Sequence, residues 1–507
     1  MDKKWWTLTA VCAATFMLLL DVTIVIVALP TIQTQLHATF SGVQWVVDAY
    51  ALTLASVLLT AGSLADRYGR RLLFTIGLVV FTLGSLLCGI AQSPIMLILS
   101  RSAQGIGGAI LFATSLALIA QTFQGAERGV AFGVWGAITG VAVGLGPVLG
   151  GLITSGISWR GIFLVNLPVG IAALVVTRRS VDESKTPDAA APDWAGFVTL
   201  TAGLVSLVYG LIRAGELAWS DTGVLICLVL AVVFGLAFVW IESRAEHPLF
   251  DLSLFRIPTF SGGLIAAFAM NGSLFAMLLY MVLYLHDDLG YSALGTGVRL
   301  LLLSGATMLT ATTAGRLSSA VPARWLIGPG LVIVGVGLLL MSGIQGMTSW
   351  THLIPGFVVA GAESGMVNPP LASTAVGVVD PRRSGMASGV NTTFRQIGIA
   401  TGIAAYGSIF ASSLQSKLGG ALGSIPALHQ HLAGIVTEIK QGDGARAISG
   451  VPAALRIHLI EAIRSSFAGA LDLLLVVSAI LAIVGALSAL VLIRPRDFVT
   501  ASQSSGH

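Results

Sequence analysis

Seven ionisable side chains stand inside long apolar runs of this 507-residue chain: Asp21, Asp48, Glu363 and Asp472, with Arg101, Arg299 and Arg395. A charge at the centre of a hydrocarbon layer costs about 2.5–3.5 kcal/mol on insertion scales. Each is therefore a functional hypothesis, weighed against the plainer reading of a paired or neutralised residue that joins helices. Low dielectric disfavours an ionised carboxylate, which lets such a group take up and release protons. Carboxylates there also attract cations. Asp21 lies well within its run. Asp48, in Trp45-Val-Val-Asp48-Ala-Tyr50, leaves two readings open: a second proton or cation site, or an ion pair at a helix end. Glu363 has the small neighbours of Gly361-Ala-Glu363-Ser-Gly365 and could contact a substrate. Asp472 has no motif around it and reads as structural.

The elements that hold these groups follow from composition. The chain is 55% hydrophobic and 10% charged, with mean hydropathy +0.90. A soluble protein carries about 25% charged residues. An all-α integral membrane protein is expected, because a helix satisfies every backbone polar group within itself. A span needs roughly 20 mostly apolar residues. Fourteen such stretches occur, from 8–29 to 467–493, with 161–177 and 195–212 the shortest.

The expected organisation is a six-helix bundle over 1–177, then a linker with two extra spans over 178–258. A second six-helix bundle covers 259–493, with a long external loop at 411–466, and 494–507 is a tail. Lys3, Lys4, Arg67, Arg70, Arg71, Arg178 and Arg179 crowd the loops of one side, whereas the short loops opposite offer Arg160 and Arg213. The positive-inside rule puts both termini in the cytoplasm, and a multi-pass location in the plasma (inner) membrane is expected. A shift of 256 residues superposes Gly105 on Gly361, Gly129 on Gly385, Gly133 on Gly389 and Gly146 on Gly402, an internal repeat.

Other totals exclude functions. Cys12, Cys88 and Cys227 all fall in apolar stretches and read as small hydrophobes. Eight scattered histidines offer no catalytic cluster, and no phosphate-binding Gly-Lys-Ser/Thr loop occurs. The net charge of +4 reflects loop topology rather than nucleic-acid binding. Neither an enzyme, an organic cofactor nor a metal site is expected.

Several motifs carry a family resemblance. The loop after span 2 reads Gly62-Ser-Leu-Ala-Asp66-Arg67-Tyr-Gly69-Arg70-Arg71. It strongly resembles the signature of the major facilitator superfamily, with a degenerate echo at Gly315-Arg316-Leu317. The resemblance implies the major facilitator fold, two six-helix bundles plus two extra central helices, and a latch on the inward side made by Asp66 and Arg70 with Glu127. Span 5 carries Gly140-Val-Ala-Val-Gly144-Leu-Gly146-Pro147-Val-Leu-Gly150-Gly151, where small residues permit close helix approach and Pro147 removes a backbone hydrogen bond. This run is similar to the motif that marks antiporters in the superfamily.

Leu20-Asp21-Val22-Thr23-Ile24-Val25-Ile26-Val27-Ala28-Leu29-Pro30 resembles the first span of fourteen-helix drug:proton antiporters, except that Ile26 replaces the usual Asn. Trp159-Arg160-Gly161-Ile162-Phe163-Leu164-Val165-Asn166-Leu167-Pro168 matches a further motif of that family. Arg101 sits in a segment similar to the span-4 motif whose Arg is thought to modulate proton transfer.

The resemblance implies a monomeric proton-coupled antiporter that exports lipophilic, cationic drugs or dyes from the cytoplasm or inner leaflet by alternating access. Asp21, Asp48 and Arg101 are expected in proton coupling, with the proton gradient as energy source. Asp21, Glu363, Asn391 and Arg395 form the expected substrate set, with Arg395 also read as a pairing residue; the two arginines weigh against a purely cationic cargo. The same fold would equally export a lipid, siderophore or biosynthetic product. Partners are then small lipophiles, protons and membrane lipids.

Overall fold

A computed structural model describes residues 2–185, 191–345, 348–379, 384–423, 451–452 and 455–498. Among the described residues there is no strand; the chain folds into α1 (Lys3–Leu36), α2 (Phe40–Tyr68), α3 (Arg70–Gly89), α4 (Pro94–Thr122), α5 (Gly125–Gly156), the short α6 (Gly161–Leu164) and α7 (Asn166–Ser180). Then come α8 (Trp194–Glu216), α9 (Thr222–Glu242), α10 (Pro258–Met270), α11 (Ala276–Leu283), α12 (Ala293–Ala320), α13 (Ala323–Leu340), α14 (Ile354–Gly377), α15 (Ser384–Gly423) and α16 (Arg456–Leu492). Two π-helical turns, Asn271–Phe275 and Tyr284–Asp288, interrupt the α10–α11 rod. Starts are set by local polar caps: Thr39 accepts from the Gly42 amide, Ser93 from Met96, and Asp221 from Gly223 and Val224.

Among the described residues, thirteen helical spans are long and apolar enough to cross a membrane. The fourteenth long helix is α14, which carries Glu363, Asn368, Pro369 and Pro370 and packs against α12 and α13. The repeat is visible as packing. In the first part α4 lies on α2 and α3, and in the second α14 lies on α12 and α13. A side chain on Gly105 would strike the Tyr50 backbone of α2, and one on Gly361 the Leu303 backbone of α12.

Two seams join the parts, α5 with α12 and α2 with α15. Along the first, Ser304 Oγ donates to the Gly144 carbonyl at 3.0 Å and the Leu294 amide donates to Ser155 Oγ at 3.0 Å. Along the second, Gly389 meets Leu59, and Gln44 reaches Ile403. Beyond these points a Cβ built on Gly62, Gly133, Gly136, Gly140 or Gly385 would meet nothing within 4 Å. Both seams are thus drawn together toward one end and part toward the other. The parting end carries the Gly69 turn, the start of α1 and the end of α16: Lys3 lies 3.9 Å from Asp182, and Thr259 bonds to Asp497.

The two extra helices are unequal. Helix α8 packs on both α2 and α15, through Leu204, Val208 and Ile212 against Ala51, Leu52, Ala400 and Ala404. Helix α9 is held mainly by α8 and leaves most of its surface bare.

Both ends of the expected loop 411–466 are helical, at 411–423 and 456–466. Helix α15 runs on to Gly423 and α16 begins at Arg456, with Leu418 and Leu422 packed with Leu459 and Ala462. A helix that leaves the membrane no longer needs an apolar surface, so its Gly- and Ser-rich continuation reads as loop. Residues 424–450 and 453–454, and 499–507 of the tail, lie outside the described residues, as do Arg382 and Arg383. Trp159, the first residue of the Trp159–Pro168 motif, is fully buried and donates from Nε1 to Gln35 Oε1 at 2.9 Å.

Candidate functional site

Asp21 is fully buried on α1, with its carboxylate aimed between α3, α4 and α7. One oxygen is ion-paired with Arg101 Nη1 of α4, whose side chain is 1% exposed. The other accepts from Gln104 Nε2 at 2.8 Å and Asn166 Nδ2 at 3.2 Å. Ser85 Oγ of α3 accepts from Gln104 at 2.8 Å and from Asn166 at 3.3 Å. Arg101 also donates to Gln104 Oε1 at 2.7 Å, and from Nε to the Val46 carbonyl of α2 at 3.1 Å. The Tyr50 ring lies 4.2 Å from the guanidinium, a favourable cation–π arrangement.

Helix geometry makes this possible. Arg101 and Gln104, three residues apart, share one face of α4, and Asn166 starts α7 after the α6 turn. Every partner of the buried charge is polar and satisfied, as buried ions require. Chemically the cluster pairs a buried carboxylate with a guanidinium and surrounds it with amide donors. Asp21 and Arg101 were expected in proton coupling, and the structure brings them together. Asn166 stands within a quoted motif and Gln104 within the span-4 segment of Arg101, but neither was singled out, and Ser85 had no sequence signal.

Asp48 is not part of this cluster. It is fully buried on α2, and neither carboxylate oxygen has a hydrogen-bond partner. Of its two readings, the helix-end ion pair finds no counter-ion among the described residues.

The expected substrate residues are dispersed. Glu363 turns toward α13, where its Oε2 would be 3.2 Å from a Cβ on Gly330. Asn391 donates to the Leu371 carbonyl at 3.1 Å and Arg395 to the Asn368 carbonyl at 3.3 Å, both tying α15 to α14. Asp472 accepts from the Gly343 amide at 2.5 Å. Arg299 is stacked between the rings of Tyr291 (3.4 Å) and Trp350 (4.7 Å).

A small cavity of about 30 Å³ lies between the parts, lined by Thr23 and Ile26 of α1, Pro147 of α5, Phe275, and Leu300 and Ser304 of α12. No carboxylate lines it. Its hydroxyls are already engaged: Thr23 with Leu19 and Leu20, Ser304 with Gly144. The glycine run of α5 builds its wall. Gly146 and Gly150 press on Thr23 and Ile24 of α1, while Gly151 approaches Ala293 and Leu294 of α12.

At the parting end, Arg70 grips Asp66 through Nη2 and Nε at 2.9 and 3.1 Å. Arg67 and Arg71 flank it; Arg71 donates to the Arg178 carbonyl at 3.3 Å. Gly69 has φ +125°, a conformation that favours glycine, and the Glu183 carboxylate sits against it. That carboxylate accepts from the Arg71 and Leu72 amides at 3.0 and 3.1 Å, capping α3. Glu127, expected beside Arg70, instead binds Lys4 at 2.8 Å, because α5 starts next to the N-terminal turn of α1.

Comparison with known proteins decides the family. A family model described as Major Facilitator Superfamily matches residues 11–403. The chain belongs to that superfamily. Among curated relatives, it is 36% identical to multidrug resistance protein Stp of Mycobacterium tuberculosis, over 81% of this chain and 77% of that one. The tetracenomycin C resistance and export protein of Streptomyces glaucescens is 31% identical, over 96% and 91%. The probable actinorhodin transporter of Streptomyces coelicolor is 34% identical, over 82% and 74%.

Among solved structures, a bacterial homologue of the human lysosomal transporter Spinster superposes with a TM-score of 0.63 at 17% identity, covering 98% of this chain and 99% of that one. That likeness speaks for the major facilitator fold. As a member of the superfamily with these spans, the protein is a multi-pass plasma-membrane transporter and not an enzyme.

Proposed function

We propose that this major facilitator protein exports lipophilic small molecules in exchange for protons, with the parting end and both termini in the cytoplasm. The observation that carries the reading is the buried Asp21–Arg101 pair beside α5, whose glycine run touches both α1 and α12. Protonation of Asp21 would release Arg101 from its counter-ion and loosen the grip of α4 on α1. Because α1 packs on α5 and α5 on α12, the change is delivered to the seam. The two helix bundles then move about the cavity, each opening it to one side. One proton driven by 100 mV supplies about 2.3 kcal/mol, and one pH unit about 1.4 kcal/mol, enough for gradients of about tenfold or more.

The cargo is read from the cavity. Cationic drugs were expected from four embedded acids, yet none of the four lines it, and its wall is almost wholly apolar. At about 30 Å³ the cavity is too small for a drug in this conformation, but once the bundles part such a wall would suit uncharged or delocalised lipophiles, whether as drugs or as biosynthetic products; two relatives are named for actinorhodin transport and for tetracenomycin C resistance and export.

The test is transport into inside-out vesicles energised by an imposed pH gradient, with ethidium and an uncharged dye, for wild type and Asp21→Asn. Gradient-dependent uptake that the mutant loses supports the reading. A folded wild type that moves neither probe, or a fully active Asp21→Asn, overturns it. The double variant Asp21→Asn/Arg101→Gln removes both charges and separates loss of coupling from loss of folding.

A further inference from the structure

Three side chains on successive turns of α2, Phe40, Gln44 and Asp48, form a stripe buried against the second bundle at the closed end. Phe40 stacks on Phe410 of α15 at 5.6 Å and lies 6.2 Å from Tyr280 of α11. Gln44 Nε2 donates to the Tyr280 hydroxyl at 3.1 Å and to the Ile403 carbonyl at 3.0 Å, and Tyr280 itself donates to Ile403 at 2.6 Å. A side chain at Gly407 would collide with the Gln44 amide. These contacts are a clasp across the α2–α15 seam.

Asp48 is the innermost of the three, one turn beyond Gln44, and near enough for its charge to act on Tyr280. It is 0% exposed, and both its oxygens lack partners. The titratable groups facing it are few. Tyr280 comes from α11, and Tyr406 from α15 packs its ring on Tyr280 at 6.2 Å. Arg101 from α4 reaches α2 at the Val46 carbonyl but is turned to Asp21. On α8, Glu216 is engaged with Ser41 and Arg213 lies 3.6 Å from Asp221. Among the described residues no cation is placed to neutralise an Asp48 carboxylate.

We infer that Asp48 is the proton-sensing group of the outer clasp: protonated, it lets α2 close against α11 and α15, and ionised, it holds that seam open. A buried, unpaired carboxylate is costly, and water entering a parted seam removes the cost. A neutral carboxyl carries no such penalty. In an exporter the outward-open form would then close only after Asp48 takes a proton from outside, so substrate release precedes return. The inference rests on the antiport reading for which side is outside, and it assigns to Asp48 a role distinct from that of Asp21.

Spin labels at Thr34→Cys on α1 and Ser416→Cys on α15, both exposed near the closed end, report the gap in nanodiscs. Cys227 is replaced by Ser, while Cys12 and Cys88 are buried. In otherwise wild-type protein the long-distance population should grow as the buffer is raised from about pH 5 to about pH 9. Asp48→Asn should hold the short distance throughout, Asp48→Glu should restore the pH response, and Asp21→Asn should keep it. A wild-type distance that ignores pH, or an Asp48→Asn response equal to the wild type's, overturns the inference. A pH response intact in a protein that fails the vesicle assay overturns the transport reading instead.

Discussion

Arg101 binds the Asp21 carboxylate with one nitrogen and the Val46 carbonyl with another, so a single guanidinium on α4 ties α1 to α2. Arg101 shares a face of α4 with Gln104, which binds both Arg101 and Asp21 and reaches Ser85. Nothing in this cluster is reached by solvent, and its energetics are those of buried ions.

Removing one member of a buried pair leaves an uncompensated charge and costs about 3–5 kcal/mol, whereas removing both is far milder. Arg101→Ala is expected to lower the thermal midpoint in detergent sharply. Asp21→Asn/Arg101→Gln should recover much of that loss while remaining inactive in vesicle transport. A thermal-shift series over the two single variants and the double variant measures the coupling.

The α5 glycines give a pair of opposite expectations. Gly151 faces the Ala293 carbonyl, 2.6 Å from where a Cβ would stand. Gly151→Val should force α5 from α12, lowering both stability and transport. Gly140 has no neighbour in this conformation, so Gly140→Val should leave stability unchanged. It should slow transport, because the alternate state would bring the parted ends together. Thermal midpoints read alongside vesicle uptake separate the two.

Trp159 is 0% exposed and hydrogen-bonded to Gln35. Trp159→Ala should cost about 3–5 kcal/mol, the range for emptying a core of its largest side chains. Trp159→Phe, which keeps most of the volume, should lose far less. Denaturation of purified protein in mild detergent provides the comparison.

Glu183 caps α3 from the linker that leads to the extra helices. Its loss frees two backbone amides beside Gly69 and should cost about 1 kcal/mol. Glu183→Ala is expected to raise amide hydrogen exchange at Arg71 and Leu72. Glu183→Gln, which keeps an acceptor but loses the charge, should fall between.

The helices and the family were legible because both depend on signals local to the chain: apolar runs of bilayer length and short motifs. Partners across helices were not. Asp21 and Arg101 were legible as candidates, yet their pairing depends on how α1 and α4 are rotated, and helices apolar all round carry no stripe that fixes rotation. Gln104 and Asn166 were visible only as letters of motifs, and Ser85 is one small polar residue among many. Glu363 resembled a substrate ligand from its flexible setting, but the small residues around it serve instead to seat α14 on α12 and α13. The burial of Trp159 was not legible either, because position near a span end does not reveal which side of the helix faces lipid.

Helix α15 is 40 residues long, which at 1.5 Å per residue is about 60 Å, roughly twice the hydrocarbon thickness. Its start lies by the parted end of the α2 seam, its middle holds the clasp, and its last turns are braced by α16. The close approach of Gln44 at Gly407 makes that point the natural fulcrum of a lever if the seam rocks. A rotation of a few degrees at the seam is magnified at Gly423, where a rigid binding protein could grip the mast and stall the stroke without touching the cavity.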